Sequence, residues 1–503
     1  MSTPRNIVVI LLDSLNRHLL GTYGSTEFDT PNLDRVAARA VRFDRHYTGS
    51  LPCMPARHDL LCGALDFLWR PWGSIELWED PITVHLRSAG VTTMLVSDHP
   101  HLFETGGENY HTDFSAWEYV RGHEGDPWRT APDSSWMGAP AVPAREGWVH
   151  RNYDVSRTWF RDVEDFPGAR TMSAAAQWLS TQAPAADRFF LFVDEFDPHE
   201  PFDVPEPWMS RYDELWEGPK VIWPPYAVDA VASGVLDERT ARHIRANYGA
   251  KLSFIDHQLG SVLDVFDRDG LWDDTALVVT TDHGHYLGER DLFGKPNVPV
   301  FEPLGHIPLF VVWPGAEPRS IDALTTSVDV FATLCDAFDV TPAHRTHGES
   351  LLPLIRGEAT WVRDWVVTGV WGRQVHVVGE RHKYVRHPGP ENRPLSVWSN
   401  RWSTMPTPRA ARMPKPDRRA ELAYMPGSDV PVIRQRFDAS DSTPMWASHP
   451  AGEQRNMVFD LLDDPFESNN LASTAIEREL EEQLRHVLDT LDAPVDQYER
   501  LGL

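Results

Sequence analysis

The chain has 503 residues, of which 41% are hydrophobic and 24% are charged, and its formal net charge is −27 at pH 7. This length is typical of one large α/β domain with a smaller companion. The acidic balance disfavours nucleic acid and anionic membrane surfaces as partners, although a locally positive site can still bind an anionic substrate.

The first predicted element is a buried strand over residues 7–12, where six β-branched and leucine residues follow one another. Such a run is typical of a strand covered on both faces of a parallel sheet, and it is too short for a signal peptide or a membrane span. The three cysteines are an odd and sparse set, which favours a reducing compartment over a disulfide framework. We therefore expect a cytoplasmic protein without a membrane partner.

Asp13 comes directly after this strand. In open parallel sheets, ligands bind at the carboxyl ends of the strands, so Asp13 is well placed for chemistry. A carboxylate that caps the next helix is the alternative interpretation. Thr30 is the predicted N-cap of a short helix, and the chain then runs to the stretch S-L-P-C-M-P-A-R-H-D-L-L-C-G over residues 50–63, in which Cys53 and Arg57 form a C-x-P-x-R pattern.

Three further buried strands each lead into polar side chains. Residues 92–97 lead to His101, residues 189–196 to His199, and residues 276–281 to the Asp282-His283 pair. We expect Asp13, His199 and the Asp282-His283 pair to converge, because the carboxyl ends of parallel strands meet at one edge of a sheet. A short helix joins the Cys53 segment to them. Apolar residues at three- and four-residue spacing predict a long helix over residues 237–267.

The chain is predicted to form a catalytic α/β domain over residues 1–360 and a smaller α+β subdomain over residues 361–503. Two insertions rich in Trp and Pro interrupt the first domain, near residues 103–165 and 203–230. The aromatic content of the first insertion argues against disorder, and we expect it to shape a substrate site; loose packing onto the core is the alternative. In the second domain, alternating strands predict a small antiparallel sheet, followed by an amphipathic helix.

The C-x-P-x-R pattern at Cys53 resembles the signature of type I sulfatases, in which an enzyme oxidises the cysteine to formylglycine. Other stretches resemble that family in the same order: H-x-P-F from His199, T-D-H-G and G-K between Thr281 and Lys295, and D-P-x-E-x-x-N-L from Asp464. The resemblance implies the fold of the alkaline phosphatase superfamily. This is a large mixed, mostly parallel sheet flanked by helices, with a smaller C-terminal antiparallel sheet and a helix.

The resemblance implies a hydrolase of sulfate monoesters, with a small anionic ester as substrate. A formylglycine-generating enzyme would oxidise Cys53 to an aldehyde, whose hydrate attacks sulfur with one hydroxyl and releases sulfate with the help of the other. Arg57 is then expected to orient the modified residue, and Lys295 to contact the anion. His199 is expected to protonate the leaving oxygen, and His101 to assist at the formylglycine.

One divalent metal ion is implied as well. Its expected ligands are Asp13, the modified Cys53, Asp282 and His283. Carboxylates suit hard cations, so Ca²⁺ is favoured, with Mg²⁺ or Mn²⁺ as alternatives. Many sulfatases have two adjacent aspartates after the first strand, whereas this chain has Ser14 in the second position, and Ser14 or Asn16 would have to substitute.

The sequence leaves two alternatives open. The single aspartate after the first strand and the His283 ligand resemble phosphonate monoester hydrolases, so the same machinery could act on phosphonate monoesters or phosphodiesters. The other alternative is a member of the fold that binds anions without catalysis. Ala56 and Cys62 replace the Ser and Thr of the extended signature, but its core is intact and we expect conversion of Cys53. The alcohol part of the substrate and the oligomeric state stay open.

Overall fold

The computed structural model of the chain describes residues 3–136, 148–403, 416–438, 441 and 455–503. The strands are β1 (Asn6–Leu12), β2 (Val41–Tyr47), β3 (Ser50–Leu51), β4 (Thr92–Ser97), β5 (Ala116–Tyr119), β6 (Phe189–Glu195), β7 (Thr275–Thr280), β8 (Tyr286–Leu287), β9 (Phe293–Gly294), β10 (His306–Val312), β11 (Arg319–Thr326), β12 (Val366–Val370), β13 (Val375–Val378), β14 (His382–Arg386), β15 (Leu395–Ser399), β16 (Glu421–Tyr424), β17 (Pro431–Phe437) and β18 (Met457–Asp460). The α-helices are α1 (Pro31–Ala37), α2 (Cys53–Cys62), α3 (Ile82–Ser88), α4 (Trp148–Arg157), α5 (Pro167–Thr181), α6 (Glu238–Asp269), α7 (Glu302–Gly305), α8 (Ser327–Phe338), α9 (Leu352–Arg356), α10 (Thr474–Thr490) and α11 (Val495–Leu501).

Eight of these strands form one large sheet in the order β11-β2-β10-β7-β1-β6-β4-β5. The central strand β1 pairs in parallel with β6 and β7, and β6 pairs in parallel with β4. Strand β10 runs antiparallel to both of its neighbours, β7 and β2. The sheet is therefore mixed but mostly parallel, which confirms the predicted fold class.

Strand β1 is buried along its whole length, as predicted for residues 7–12. Its alternate side chains enter two hydrophobic clusters, with Val8 on the face covered by α6 and Val9 on the face covered by α2 and α8. Because both faces are covered, residues 7–12 of the strand are all apolar. Each fully buried aliphatic side chain contributes roughly 1.5–3 kcal/mol to the stability of the fold, so this strand holds the residues that follow it in a fixed position.

The other predicted elements of the core are also present. The strands predicted over residues 92–97, 189–196 and 276–281 are β4, β6 and β7. The long helix predicted over residues 237–267 is α6, whose buried side chains cover one face of the sheet. Of the insertion predicted near residues 103–165, residues 137–147 lie outside the described residues, and the remainder contains β5 and α4.

Five strands form a smaller sheet in the order β18-β14-β13-β12-β3, and helices α10 and α11 pack with it in one hydrophobic cluster. Strand β3 immediately precedes the Cys53 helix and pairs in parallel with β12, with Ser50 opposite Gly369. The smaller sheet is thus attached directly to the segment that carries Cys53. The division of the chain at residue 360 stays a prediction. Among the described residues, none of the helices is both long enough and apolar enough to cross a membrane.

Candidate active site

Two aspartates lie beyond the carboxyl ends of the neighbouring strands β1 and β7. Asp13 follows β1 directly, and Asp282 is the second residue after β7. The backbone N–H of Ser14 donates to Asp282 Oδ1 at 3.0 Å, and the N–H of Leu15 donates to Thr281 Oγ1 at 3.1 Å. These hydrogen bonds tie the two strand ends together and fix the two carboxylates relative to each other.

Helix α2 brings Cys53 to this pair. Cys53 is the first residue of the helix, and its Sγ lies 3.3 Å from His283 Nε2. Asp13, Cys53, Asp282 and His283 each offer one donor atom, and these four atoms lie within 4.8 Å of one another. All four side chains are buried. The structure therefore brings together every residue that was predicted as a metal ligand.

The electrostatics of this group fit a divalent cation. Burial and the neighbouring charge of Asp282 raise the pKa of Asp13 well above its usual range even though Arg57 opposes the shift, so an ionised Asp13 calls for a further positive charge. Two carboxylates beside an imidazole offer donors that suit a hard cation. Burial, together with Asp13, also raises the pKa of the Cys53 thiol. The unmodified side chain is therefore a neutral thiol and a poor nucleophile.

Arg57 lies one turn along α2 from Cys53 and is completely buried. Its Nη1 donates to Asp282 Oδ2 at 2.8 Å and to the Cys53 carbonyl at 3.2 Å, and its Nη2 donates to Asp13 Oδ2 at 2.9 Å. The rest of the guanidinium binds Asp194, with Nε to Oδ2 at 2.9 Å and Nη2 to Oδ1 at 2.7 Å. All of its donors are engaged by protein atoms, so Arg57 holds the two aspartates and the start of α2 in place.

Lys295 and His199 lie together at the more open side of the group. Lys295 Nζ is 2.7 Å from His199 Nε2 and 3.3 Å from Ser14 Oγ. His199 Nδ1 lies 2.7 Å from the Glu200 carbonyl, which can only accept, so Nδ1 carries a proton and Nε2 accepts from the ammonium of Lys295. Burial lowers the pKa of His199 well below its usual range, which agrees with a neutral imidazole.

Three contributors to the site were not predicted from the sequence: Asp194, Glu200 and Tyr226. Asp194 pairs with Arg57 from within β6, and Glu200 Oε2 lies 3.7 Å from Lys295 Nζ and 3.2 Å from His285 Nε2. Tyr226 donates its hydroxyl to Glu200. Burial alone would lower the pKa of Lys295, but Glu200 raises it, so the ammonium is retained. An acidic residue inside a run of buried apolar residues was the available signal for Asp194.

His101 has partners other than Cys53. Its Nδ1 bonds Glu104, and its Nε2 lies 3.6 Å from Glu124 Oε2. His99 lies beside the carboxylate that binds Arg57, since its Nδ1 is 3.7 Å from Asp194 Oδ2. Neither ring nitrogen of His99 has a hydrogen-bond partner among the described residues. The structure thus leaves the helper role of His101 as a prediction and adds His99 as a buried polar group beside the site.

Phe196 separates two of these imidazoles. Its ring stacks on His99 at a centroid distance of 4.5 Å and on His199 at 4.2 Å, with interplanar angles of 23° and 21°. The three rings form a stack in which Phe196 fixes the plane of the His199 imidazole. The orientation of the predicted proton donor is therefore determined by packing as well as by its hydrogen bonds.

Ser14 and Asn16 differ in their availability as metal ligands. Ser14 Oγ donates to Asp13 Oδ1 at 2.7 Å and accepts from Lys295, so it borders the ligand group. The side chain of Asn16 is committed elsewhere, because its Nδ2 donates to the His285 carbonyl at 2.9 Å and its Oδ1 accepts from the His18 N–H at 2.9 Å. Of the two substitutes, Ser14 is the better placed.

A family model and individual relatives both match this chain over most of its length. A family model described as Sulfatase matches residues 5–340. The chain is 27% identical to a choline-sulfatase of Rhizobium meliloti over 387 residues, which cover 70% of this chain and 72% of the relative. It is 23% identical to an arylsulfatase of Clostridium perfringens, with 72% of this chain and 80% of that protein covered.

The fold is also similar to solved structures. The phosphonate monoester hydrolase of Agrobacterium radiobacter superimposes with a TM-score of 0.65 and 21% identity, and the match covers 97% of this chain and 95% of that one. At this identity the similarity shows the fold alone. It agrees with the mixed sheet and the smaller C-terminal sheet described above.

Proposed function

This chain belongs to the sulfatase family of the alkaline phosphatase superfamily, and from that premise we propose that it hydrolyses sulfate monoesters by means of a formylglycine made from Cys53 and one divalent metal ion. The observation that carries the proposal is the cluster of Asp13, Cys53, Asp282 and His283 at the carboxyl edge of the large sheet. Lys295 and His199 border that cluster on its more open side.

In this proposal the metal ion would be held by Asp13, Cys53 in its modified form, Asp282 and His283. When bound, it would lower the pKa of the nucleophile and balance the charge of the ester oxygens. The formylglycine would supply a hydrated aldehyde, whose two hydroxyls serve attack and release. We propose Ca²⁺ for the ion because two of the donors are carboxylates, with Mg²⁺ or Mn²⁺ as alternatives.

The side chains around the cluster have separate tasks. The N–H groups of Arg57 donate to Asp13, Asp194 and Asp282. Arg57 therefore positions the metal ligands, and Lys295 is proposed to bind the substrate anion. Lys295 carries a positive charge that borders Ser14 and acts on the Cys53 side chain, so it is proposed to contact an ester oxygen bound there.

His199 is the proposed proton donor to the leaving oxygen. Its Nε2 and Lys295 Nζ share a proton across 2.7 Å, so the proton on this pair can pass to a leaving oxygen bound beside them. His199 Nδ1 keeps its bond to the Glu200 carbonyl throughout, which fixes the ring. Glu200 keeps Lys295 charged until that proton leaves, after which the Lys295–His199 pair is neutral until it takes up another proton from solvent.

Maturation and location belong to the same proposal. The chain would need a formylglycine-generating enzyme as a partner to convert Cys53. All three cysteines are buried and unpaired, which agrees with a reducing, cytoplasmic compartment. The predicted roles of Cys53, Arg57, His199, Lys295 and His101 remain part of the proposal.

A phosphonate monoester or phosphodiester hydrolase is the second candidate, favoured by one observation. Ser14 replaces the second aspartate, and its hydroxyl lies between Asp13 and Lys295, which leaves the ligand group with two carboxylates. The first measurement is therefore a side-by-side determination of kcat/KM for an aryl sulfate, an aryl phosphonate monoester and an aryl phosphodiester.

The protein for this comparison is made in a host with a formylglycine-generating enzyme, and conversion is checked by the mass of the Cys53 peptide. We expect the highest kcat/KM on the sulfate ester and none with Cys53→Ala. A higher value on the phosphonate would favour the second candidate. Fully converted, metal-loaded protein that cleaves none of the three would make the chain a non-catalytic anion-binding member of the fold.

A further inference from the structure

A second group of metal-binding side chains lies on the same helix as Cys53. His58 and Cys62 are one turn apart on α2, and their side chains meet Glu79 from the segment that joins α2 to α3. One donor atom from each of the three residues lies within 4.8 Å of the other two. Asp66 lies outside that group of three but next to it, with its Oδ2 at 3.5 Å from His58 Nε2.

This group is closed to solvent and rich in ionisable side chains. The exposed fraction of each residue is 6% or less for His58, Cys62, Asp66 and Glu79. His58 Nε2 lies 2.8 Å from Glu79 Oε1. Two buried atoms, His58 Nδ1 and Asp66 Oδ1, have no hydrogen-bond partner among the described residues. The two buried carboxylates need positive partners, and Arg70 supplies one, with its Nε 3.1 Å from Asp66 Oδ2 and its Nη2 3.8 Å from Glu79 Oε2.

We propose that His58, Cys62 and Glu79, with Asp66 as the fourth donor, form a structural zinc site that is separate from the candidate active site. A thiolate beside an imidazole selects a borderline-soft cation such as Zn²⁺ over Ca²⁺ or Mg²⁺. Zinc bonds of about 2.0–2.3 Å place tetrahedral donor atoms roughly 3.3–3.8 Å apart. The His58 to Glu79 and His58 to Asp66 distances of 2.8 and 3.5 Å require only a small expansion.

The charges balance when zinc enters. The dication replaces one proton of the His58 imidazolium and the S–H proton of Cys62, so the net charge of the group does not change. Arg70 stays in place beside the ligands, because its Nε lies 3.1 Å from Asp66 Oδ2 and its Nη1 lies 2.9 Å from Glu76 Oε1. Such partners of ligating carboxylates are a usual feature of metal sites.

The site has a clear structural consequence. Helix α2 begins at Cys53, carries Arg57, and ends at Cys62. A metal ion bound by His58 and Cys62 would fasten the second half of this helix to Asp66 and Glu79. It would thereby hold the helix that positions Cys53, without contact to the substrate.

Cobalt absorption spectroscopy tests the site, because a thiolate bound to Co²⁺ absorbs in the near ultraviolet. The full chain is made as Cys53→Ser/Cys335→Ser, which leaves Cys62 as its one cysteine of three. Cobalt is supplied in the growth medium, so that the closed site can load while the chain folds. We expect the thiolate-to-cobalt band, together with the visible bands of a tetrahedral ion. Folded protein without that band would overturn the proposal.

A further variant tests the other ligands. Adding His58→Gln to the same background removes the imidazole donor, and we expect the band to be lost and the bound metal to fall by about one ion per chain. Retention of the full band would contradict the proposed ligand set. The decisive measurement needs no change within the group, so a folding defect of the His58 variant cannot mask a negative result. Since both samples lack Cys53, the outcome is independent of esterase activity.

Discussion

Lys295 Nζ lies 2.7 Å from His199 Nε2, so the cation proposed to bind the substrate anion and the proposed proton donor form one hydrogen-bonded pair. The pair is flanked by the Glu200 carboxylate, which lies 3.7 Å from Lys295 Nζ and keeps the ammonium charged. A change at either residue must therefore affect the other. Because of this coupling, the two roles can be distinguished only by comparing substrates whose leaving groups need protonation with substrates whose leaving groups do not.

His199→Gln should slow hydrolysis of substrates with poor leaving groups much more than that of activated aryl sulfates. General acid catalysis typically contributes about 10²–10⁴-fold, and that contribution is needed least when the leaving oxygen is already a stable anion. The measurement is kcat/KM across aryl sulfates of graded leaving-group pKa. The Lys295→Gln variant serves as the comparison and should lose activity on the activated aryl sulfates as well, because it removes the charge proposed to bind the anion whatever the leaving group. Equal losses across the series for His199→Gln would contradict its role as proton donor.

The ligand residues could be predicted from sequence because they follow unbroken apolar runs. A run such as residues 7–12 marks a buried strand, and an acidic residue within two positions of the strand's end marks the edge where ligands bind. Asp13 and Asp282 were found in this way, and the C-x-P-x-R pattern identified Cys53 and Arg57.

The remaining contributors depend on packing that local pattern does not encode. Asp194 lies inside β6 and acts through Arg57, which is 137 positions away in the chain. Phe196 orients His199 by ring stacking, and Tyr226 reaches Glu200 from an irregular segment. The partners of His101, namely Glu104 and Glu124, depend on the path of a loop that has no periodic pattern.

Arg57→Lys should destabilise the protein and lower its metal content, because a lysine cannot reproduce the fork that binds three carboxylates. Breaking a buried ion pair costs about 3–5 kcal/mol, and Asp13, Asp194 and Asp282 would all lose a partner. Denaturant unfolding and metal analysis check this. Arg35→Lys is the matched control, since its partners Asp264 and Asp267 are 72% and 42% exposed and the substitution should change stability by less than about 1 kcal/mol. Similar effects of the two variants would contradict the central position of Arg57.

His46 should make stability fall as the pH is lowered. Burial, reinforced by His306 and Arg363, lowers the pKa of His46 to about 3 in the folded chain, against 6.5 for the free side chain. The unfolded chain therefore takes up a proton below pH 6.5 that the folded chain refuses. Stability is complete above pH 6.5 and is lost progressively between pH 6.5 and pH 3, by about 1 kcal/mol at pH 5.5.

The His46→Asn variant isolates this contribution. Asn keeps a polar atom near Thr325 Oγ1, which the His46 Nδ1 contacts at 2.9 Å. Any packing loss is the same at pH 7.5 and pH 5.5, so the difference between the two unfolding free energies should shrink by about 1 kcal/mol in the variant. His486→Asn, at an exposed position, should leave that difference unchanged. An unaltered difference in the His46 variant would show that His46 is protonated in the folded protein.

Asp13→Asn should have opposite effects on stability with and without metal. In metal-free protein, burial and the charge of Asp282 raise the pKa of Asp13 well above its usual range, so Asp13 costs stability at neutral pH; a neutral amide avoids that cost, and the melting temperature should rise. The amide oxygen can still accept the bond that Arg57 Nη2 donates at 2.9 Å. With excess Ca²⁺ the order should reverse, because the wild-type chain gains binding free energy that the variant loses.

Melting curves of both proteins with chelator and with Ca²⁺ give the four values needed, and any second metal lost to the chelator affects both proteins equally. Asp264→Asn, an exposed carboxylate, should show no such reversal. If Asp13→Asn lowers the melting temperature equally in both conditions, Asp13 contributes packing rather than a metal ligand.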